Sequence, residues 1–450
     1  MLRIKSTQGT SSRGTNAQIF DCENQTENTK KMKILWLSNC ELTVQPTKTT
    51  GSWLQAMSAA LVERGDVELC NITIGRVKSI TRRDCGNIKQ WIVPRRHLKD
   101  GLPPMSIVNG VVELVGEINP DLVHIWGVEL YWGLLSARGY IKHNTLLEIQ
   151  GLRHTCAEVW YGGLSIRERV ESVQLKEVFR AKKRIDTKQR REKKWGRYEK
   201  EIIAAHRYIS VPSEWVRATI APLCGEGTVI MDSRMAVRRE FFEADPWKRP
   251  SLKDGVELLV MSSAPIPYKG VHVVLKALAV VKQYNPNVRL TVVGDYEQNK
   301  KTWSKSGYLL HLERQIRRLG LQENIALPGA LSAEELVAQM QKTHVMIHSS
   351  FVESYSLALA ESMVVGVPSV VAWSGAMPEL AQDGKEALFY SPTDYRRCAW
   401  LVCRLVDNVE LAESVSSQAR KRGLERNTTS SVVEHQVECY RRVIDEYAAS

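Results

Sequence analysis

Residues 344–380 read HVMIHSSFVESYSLALAESMVVGVPSVVAWSGAMPEL and hold the most informative spacing in the chain. An apolar run ends in a polar turn at 349–356, and a helical pattern follows. Glu353 lies in the turn and Glu361 falls eight positions later, on the helix. A helix N-terminus attracts anions, through amides without an intrahelical partner and through the macrodipole. Carboxylates placed before that terminus and along the helix can each accept hydrogen bonds from a pair of hydroxyls. A ligand carrying phosphate plus sugar hydroxyls suits the arrangement. The alternative is that Glu361 decorates a solvated helix face.

Such residues need a scaffold, and the chain is long enough for two or three domains: it has 450 residues, 43% hydrophobic and 25% charged. That composition excludes disorder, collagen-like repeats and coiled coil for the bulk of it. No apolar run reaches the roughly 18 residues of a membrane-spanning helix, and no apolar core follows the N-terminal charges as in a secretory signal. Residues 1–31 show neither helical nor strand periodicity and read as a disordered leader, with Met32 as an alternative start. From Met32 onward short apolar runs alternate with amphipathic segments, the signature of parallel βαβ units. Strands are predicted at 34–37, 67–74, 90–93, 122–125, 145–149 and 208–211, with helices at 54–63 and 107–118. The segment 241–254, with two prolines and many charges, reads as a linker between a domain at 32–240 and a second at 255–395. In the second, 256–261 and 288–293 are strands and 271–283 and 311–319 helices. The runs 334–341, 344–348, 357–364 and 369–372 continue the pattern. Residues 396–450 are helical. The expected fold class is therefore α/β, two doubly wound Rossmann-like domains facing a cleft. Ligands in such folds sit at the carboxyl ends of the strands.

Here the sequence resembles retaining GT-B glycosyltransferases of the family 4, or "glycosyl transferases group 1", type. Glu353 and Glu361 reproduce the E-x7-E motif. Gly366-Val367-Pro368, Ser374-Gly375, Pro378-Glu379-Leu380 and Asp383-Gly384 follow in the family's order. Upstream, Tyr268-Lys269-Gly270 resembles the Lys-Gly after the first strand of the nucleotide domain, and Val293-Gly294-Asp295 its strand-end V-G-x. The resemblance implies a nucleotide-diphosphate-sugar donor, a UDP- or GDP-sugar, held mainly by the C-terminal domain. It also implies a glycan or lipid-linked acceptor on the N-terminal domain, retention, and no metal ion or other cofactor. By position, Glu361 would bind the ribose, Glu353 the donor sugar, Lys269 the diphosphate, and amides near Ser354, Tyr355 and Ser356 the phosphates. Gly51 sits where a glycine-rich loop approaches those phosphates, or is a simple turn glycine. The last helix, about 430–447, would cross back onto the first domain, and the role would be in cell-surface polysaccharide or glycolipid synthesis.

Departures are plain. The family's Arg five residues before the Lys is Ala264, and its Gly-Phe-Gly is Ser354-Tyr355-Ser356. Asp121-Leu122-Val123-His124-Ile125-Trp126 matches a strand ending in D-x-x-H-x-H, with Trp126 in place of the second His. His124 is thus a candidate catalytic imidazole or a structural group at a strand end. Glu129 is a candidate acid nearby, and Arg153-His154 could meet an acceptor. The departures leave open a non-catalytic peripheral membrane or scaffold protein with a degenerate nucleotide-sugar site.

Lys+Arg exceeds Asp+Glu by 62 − 50 = 12, which favours an anionic partner. The excess peaks from Lys176 to Lys200. That stretch reads as a helix with a solvated face, or as a dock for anionic membrane lipid or a lipid-diphosphate acceptor. Nucleic acid is not expected, because aromatics are sparse there and no binding signature accompanies the charge. Nine scattered cysteines without CxxC spacing read as reduced thiols. The expected location is the cytoplasm, with peripheral contact at the inner face of a membrane.

Overall fold

The structure is a computed structural model and describes residues 31–43, 52–173, 185–296 and 305–449. Gly51, nearly all of the leader and residues 176–184 of the basic stretch lie outside these.

Two sheets form the core. The first has eight strands: β1 Met32–Leu37, β2 Val67–Gly75, β3 Thr81–Arg82, β4 Lys89–Pro94, β5 Leu122–Trp126, β6 Thr145–Glu148, β7 Tyr208–Val211 and β8 Val229–Asp232. Their order is β3-β4-β2-β1-β5-β6-β7-β8, and all pairs but β3–β4 are parallel. The second has six: β9 Glu257–Met261, β10 Arg289–Val293, β11 Ile325–Gly329, β12 Val345–His348, β13 Ser369–Ala372 and β14 Leu388–Tyr390, in the order β11-β10-β9-β12-β13-β14. Counted within its own domain, that is the 3-2-1-4-5-6 order of a doubly wound sheet, whose strand order reverses between the first and fourth strands. The switch points therefore lie between β1 and β5 and between β9 and β12. The central strands are buried nearly throughout, as parallel strands covered on both faces must be, and read as apolar runs.

The Thr429–Ala448 helix lies on the first sheet, not the second. Tyr440 reaches Trp36, whose Nε1 donates to its hydroxyl at 3.0 Å, and the Tyr208 hydroxyl donates to Glu446 at 2.8 Å. Val432, Val433, Val437, Tyr440 and Val443 recur at helical spacing and share one cluster with Trp36, Leu54 and Leu61.

The segment 241–254 is packed more firmly than its composition suggests. It begins inside the Arg239–Glu243 helix, and Phe241 and Trp247 are buried in the second sheet's core. Trp247 is held twice, its amide by the Val365 carbonyl and its Nε1 by that of Thr343. Asp245, Pro246, Lys248, Lys253 and Asp254 are exposed, Arg249 is half-buried and donates to the Leu405 carbonyl at 3.1 Å, and this run of prolines and charges hides two aromatic anchors from a composition-based reading.

Candidate active site

The loops at the two switch points meet across a cleft enclosing about 400 Å³. Its walls include Glu129, Arg153, Lys188, Arg191 and Glu192 on one side and Lys269, Glu353, Ser354 and Tyr355 on the other. Lys269 ends a short turn, Pro267–Lys269, that follows β9, and Glu353 lies in the loop after β12. Two glycines permit the approach. Gly270 has φ +75°, and a Cβ there would stand 2.0 Å from the Ser349 carbonyl oxygen. Gly375 has φ +51°, and its Cβ would stand 2.2 Å from the carbonyl oxygen of Glu353. Only glycine allows both the left-handed backbone and that contact. The Ser349 hydroxyl donates to the Lys269 carbonyl at 2.7 Å, and Phe351 N–H to the Tyr268 carbonyl at 2.8 Å. So locked, Lys269 Nζ stands 2.6 Å from Glu353 Oε1, both side chains about one-fifth exposed.

The Leu357–Val365 helix begins directly beyond. The Ser356 hydroxyl caps it, accepting from Leu359 N–H at 3.3 Å, which leaves the remaining first-turn amides for another acceptor. Ser354, Tyr355 and Ser356 all stand before this terminus. Ser354 is also a bridge, since its carbonyl accepts from the Ser213 hydroxyl of the first domain at 2.9 Å. Tyr355 is half-buried and its hydroxyl accepts from Asn427 at 2.6 Å; desolvation pushes that phenol up to about 12.

Glu361 is not on a solvated face: its side chain is 6% exposed. Arg238 donates to its Oε1 from Nε at 3.0 Å and from a terminal nitrogen at 2.8 Å. Burial outweighs the guanidinium and raises the carboxyl above its ordinary value. Arg238 carries no sequence signal for this role, because 123 positions separate it from its partner.

His124 requires a correction. It is fully buried and sits inside the first domain rather than in the cleft. Its Nδ1 lies 2.7 Å from the Tyr440 hydroxyl, its Nε2 3.7 Å from Glu148, and its ring packs against that of Trp126, tilted by 32° with centroids 3.9 Å apart. Burial lowers its pKa, so the imidazole is neutral, a group that ties the terminal helix to the sheet. Trp126 extends the same aromatic cluster through Trp36 and Trp53.

Glu129 does line the cleft, and burial pushes its carboxyl up to about 7 against the opposing pull of its own amide and of Arg153. An acid raised in the folded state holds its proton there after the unfolded chain has lost it, so stability falls as pH rises from about 4.5 to 7. Glu129→Gln should therefore gain in Tm over the unsubstituted protein by a few degrees more at pH 8 than at pH 5, as read by thermal melts. Equal gains at both pH values would contradict this. Arg153 also faces the cleft, paired with Glu192 at 2.9 Å, whereas His154 is taken up by Glu199.

The described part of the basic stretch belongs to the Ile185–Ala205 helix. Lys188, Arg191 and Glu192 share its cleft face at spacings of three and four, while Arg190, Lys193, Lys194, Arg197 and Lys200 are exposed.

Residues 243–422 match the family model of "Glycosyl transferases group 1". That match lies within the C-terminal half of the chain. An MMP alpha-(1->4)-mannosyltransferase of Mycolicibacterium hassiacum is 30% identical over 193 residues, 43% of this chain and 44% of that protein. A GDP-mannose-dependent phosphatidylinositol monomannoside mannosyltransferase of Mycolicibacterium smegmatis is 25% identical over 198 residues, 41% of this chain and 49% of that one. The chain thus spans about half the length of these curated relatives. Among solved structures, a sucrose-phosphate synthase from Thermosynechococcus elongatus superposes with TM-score 0.68 at 14% identity, covering 93% of this chain and 100% of that one. Anabaena HepE in complex with UDP and glucose gives 0.62 at 16%, covering 90% and 98%. The fold is GT-B.

Proposed function

We propose that this protein is a retaining glycosyltransferase of the group 1 type. It moves a hexose from a nucleoside-diphosphate-sugar donor to a glycan or lipid-linked acceptor, in cell-surface polysaccharide or glycolipid synthesis, with no metal ion or other cofactor. The observation that carries this is the Lys269–Glu353 pair at 2.6 Å, placed beside a helix N-terminus at the second sheet's switch point and walled by the first domain.

In the reaction, the bond from the sugar's anomeric carbon to the diphosphate breaks. A bond to the acceptor oxygen forms on the same face, and the acceptor proton leaves with the diphosphate. Charge grows on the departing phosphate, where Lys269 and the first-turn amides stabilise it in place, and positive charge grows on the sugar beside Glu353. Glu361, its carboxylate fixed by Arg238, is assigned the ribose hydroxyls. Among the described residues no helix is long and apolar enough to cross a membrane. The exposed Lys193, Arg197 and Lys200 would meet an anionic membrane surface at the inner face.

Melting the protein with UDP-, GDP-, ADP- and dTDP-sugars tests the reading. One donor class at 100 times its Kd should add about 2.7 kcal/mol and raise Tm by several degrees. GDP-mannose is the first to try, since one relative's description names it. No rise with any donor overturns the proposal.

A further inference from the structure

The cleft holds more positive charge than its carboxylates account for. Lys269 is engaged by Glu353 and Arg153 by Glu192. Arg191 lines the same cleft, is exposed, and among the described residues has no carboxylate partner. Its helix is firmly seated: Trp195 Nε1 donates to the Val128 carbonyl at 2.8 Å, and Glu199 accepts from the Arg153 amide at 2.6 Å. An arginine mounted on a fixed helix and facing a cleft of this size is suited to a phosphate, which its planar fork can hold through two bonds.

The second sheet's own wall is short of cations. Ala264, in the loop after β9, contributes only a methyl group, and Lys269 is shared with Glu353. A diphosphate carries more charge than one shared ammonium can neutralise, and it becomes more negative as the sugar leaves. We infer that Arg191 of the first domain supplies a further cation to the donor's diphosphate, across the cleft from Lys269. The assignment rests on the function proposed above. It also gives donor binding a mechanical consequence, because a diphosphate held from both walls draws the two domains together.

A phosphate carried by the acceptor would present the same chemistry, so the test separates the two. Titration calorimetry with UDP, GDP, their nucleosides and inorganic pyrophosphate would be run on the unsubstituted protein, Arg191→Gln, Arg191→Lys and the outward-facing control Lys194→Gln. Arg191→Gln should lose tenfold or more in affinity for the preferred nucleoside diphosphate and for pyrophosphate, with nucleoside affinity unchanged. Arg191→Lys should retain part of the loss-sensitive affinity, and Lys194→Gln all of it. Because Arg191 is exposed, the unliganded Tm should not move. Unchanged diphosphate affinity in Arg191→Gln overturns the inference, and so does a defect confined to the acceptor's KM. If the unsubstituted protein itself binds no nucleoside diphosphate, it is the functional reading that fails.

Discussion

Glu353→Ala and Lys269→Ala should each lower donor-dependent turnover on the order of 10²–10³-fold, the cost of removing one group aimed at transition-state charge. The two side chains touch at 2.6 Å, so their effects should not add. The double variant should fall little below the worse single one, since each single change already releases the partner from its set position. Most of the loss belongs in kcat for Lys269, whose charge is needed most when the diphosphate departs, and KM should move less. Steady-state kinetics on the three variants, with the donor identified by melting, checks this. Equal and negligible turnover in the unsubstituted protein and both single variants would instead mark a non-catalytic scaffold with a degenerate site. That is the rival suggested by Ala264 and by the serines at 354 and 356.

Arg238→Met should be the most damaging substitution to stability outside the apolar core. It strands the Glu361 carboxylate, 6% exposed, without the guanidinium that donates two bonds to it. Leaving one member of a buried pair unpaired costs about 3–5 kcal/mol, a Tm loss on the order of 10 °C. Combining it with Glu361→Leu should recover most of the loss, because no uncompensated charge then remains. The double variant should still fail to gain stability from nucleotide if Glu361 holds the ribose. Burial already raises the Glu361 carboxyl. Without Arg238 it should rise further, so Arg238→Met should lose more stability at pH 8 than at pH 5. Denaturant titration at both pH values measures the effect. A double variant no more stable than Arg238→Met would mean that the pair's worth lies in packing, such as the stacking of Arg238 on Phe241 at 4.8 Å.

The interior of both sheets is legible in the chain because buried parallel strands must be continuous apolar runs. β1, β2, β4, β5, β6 and β7, and β9, β10, β12 and β13, all coincide with predicted strands to within two residues at each end. The four that the pattern misses, β3, β8, β11 and β14, are the four sheet edges. β3 has only two residues, and β11 alternates between exposed and half-buried positions, so neither presents an apolar run. Composition likewise hid Trp247, whose neighbours are prolines and charges.

Local order alone dictated the alternation of strand and helix, the glycines at 270 and 375, and the placing of Lys269 and Glu353 in loops after strands and of Glu361 along a helix. These are short-range facts, written in spacing and backbone freedom. Which groups meet was settled by the packing of distant segments. Arg238 reaches Glu361, Tyr440 meets a fully buried His124 that does not line the cleft, and one stripe of a basic helix places Arg191 in the same cleft as the lysine of the other domain. Ionic and hydrogen-bonded partners carry no periodicity along a chain, so only the close approach of the two folded halves could reveal them.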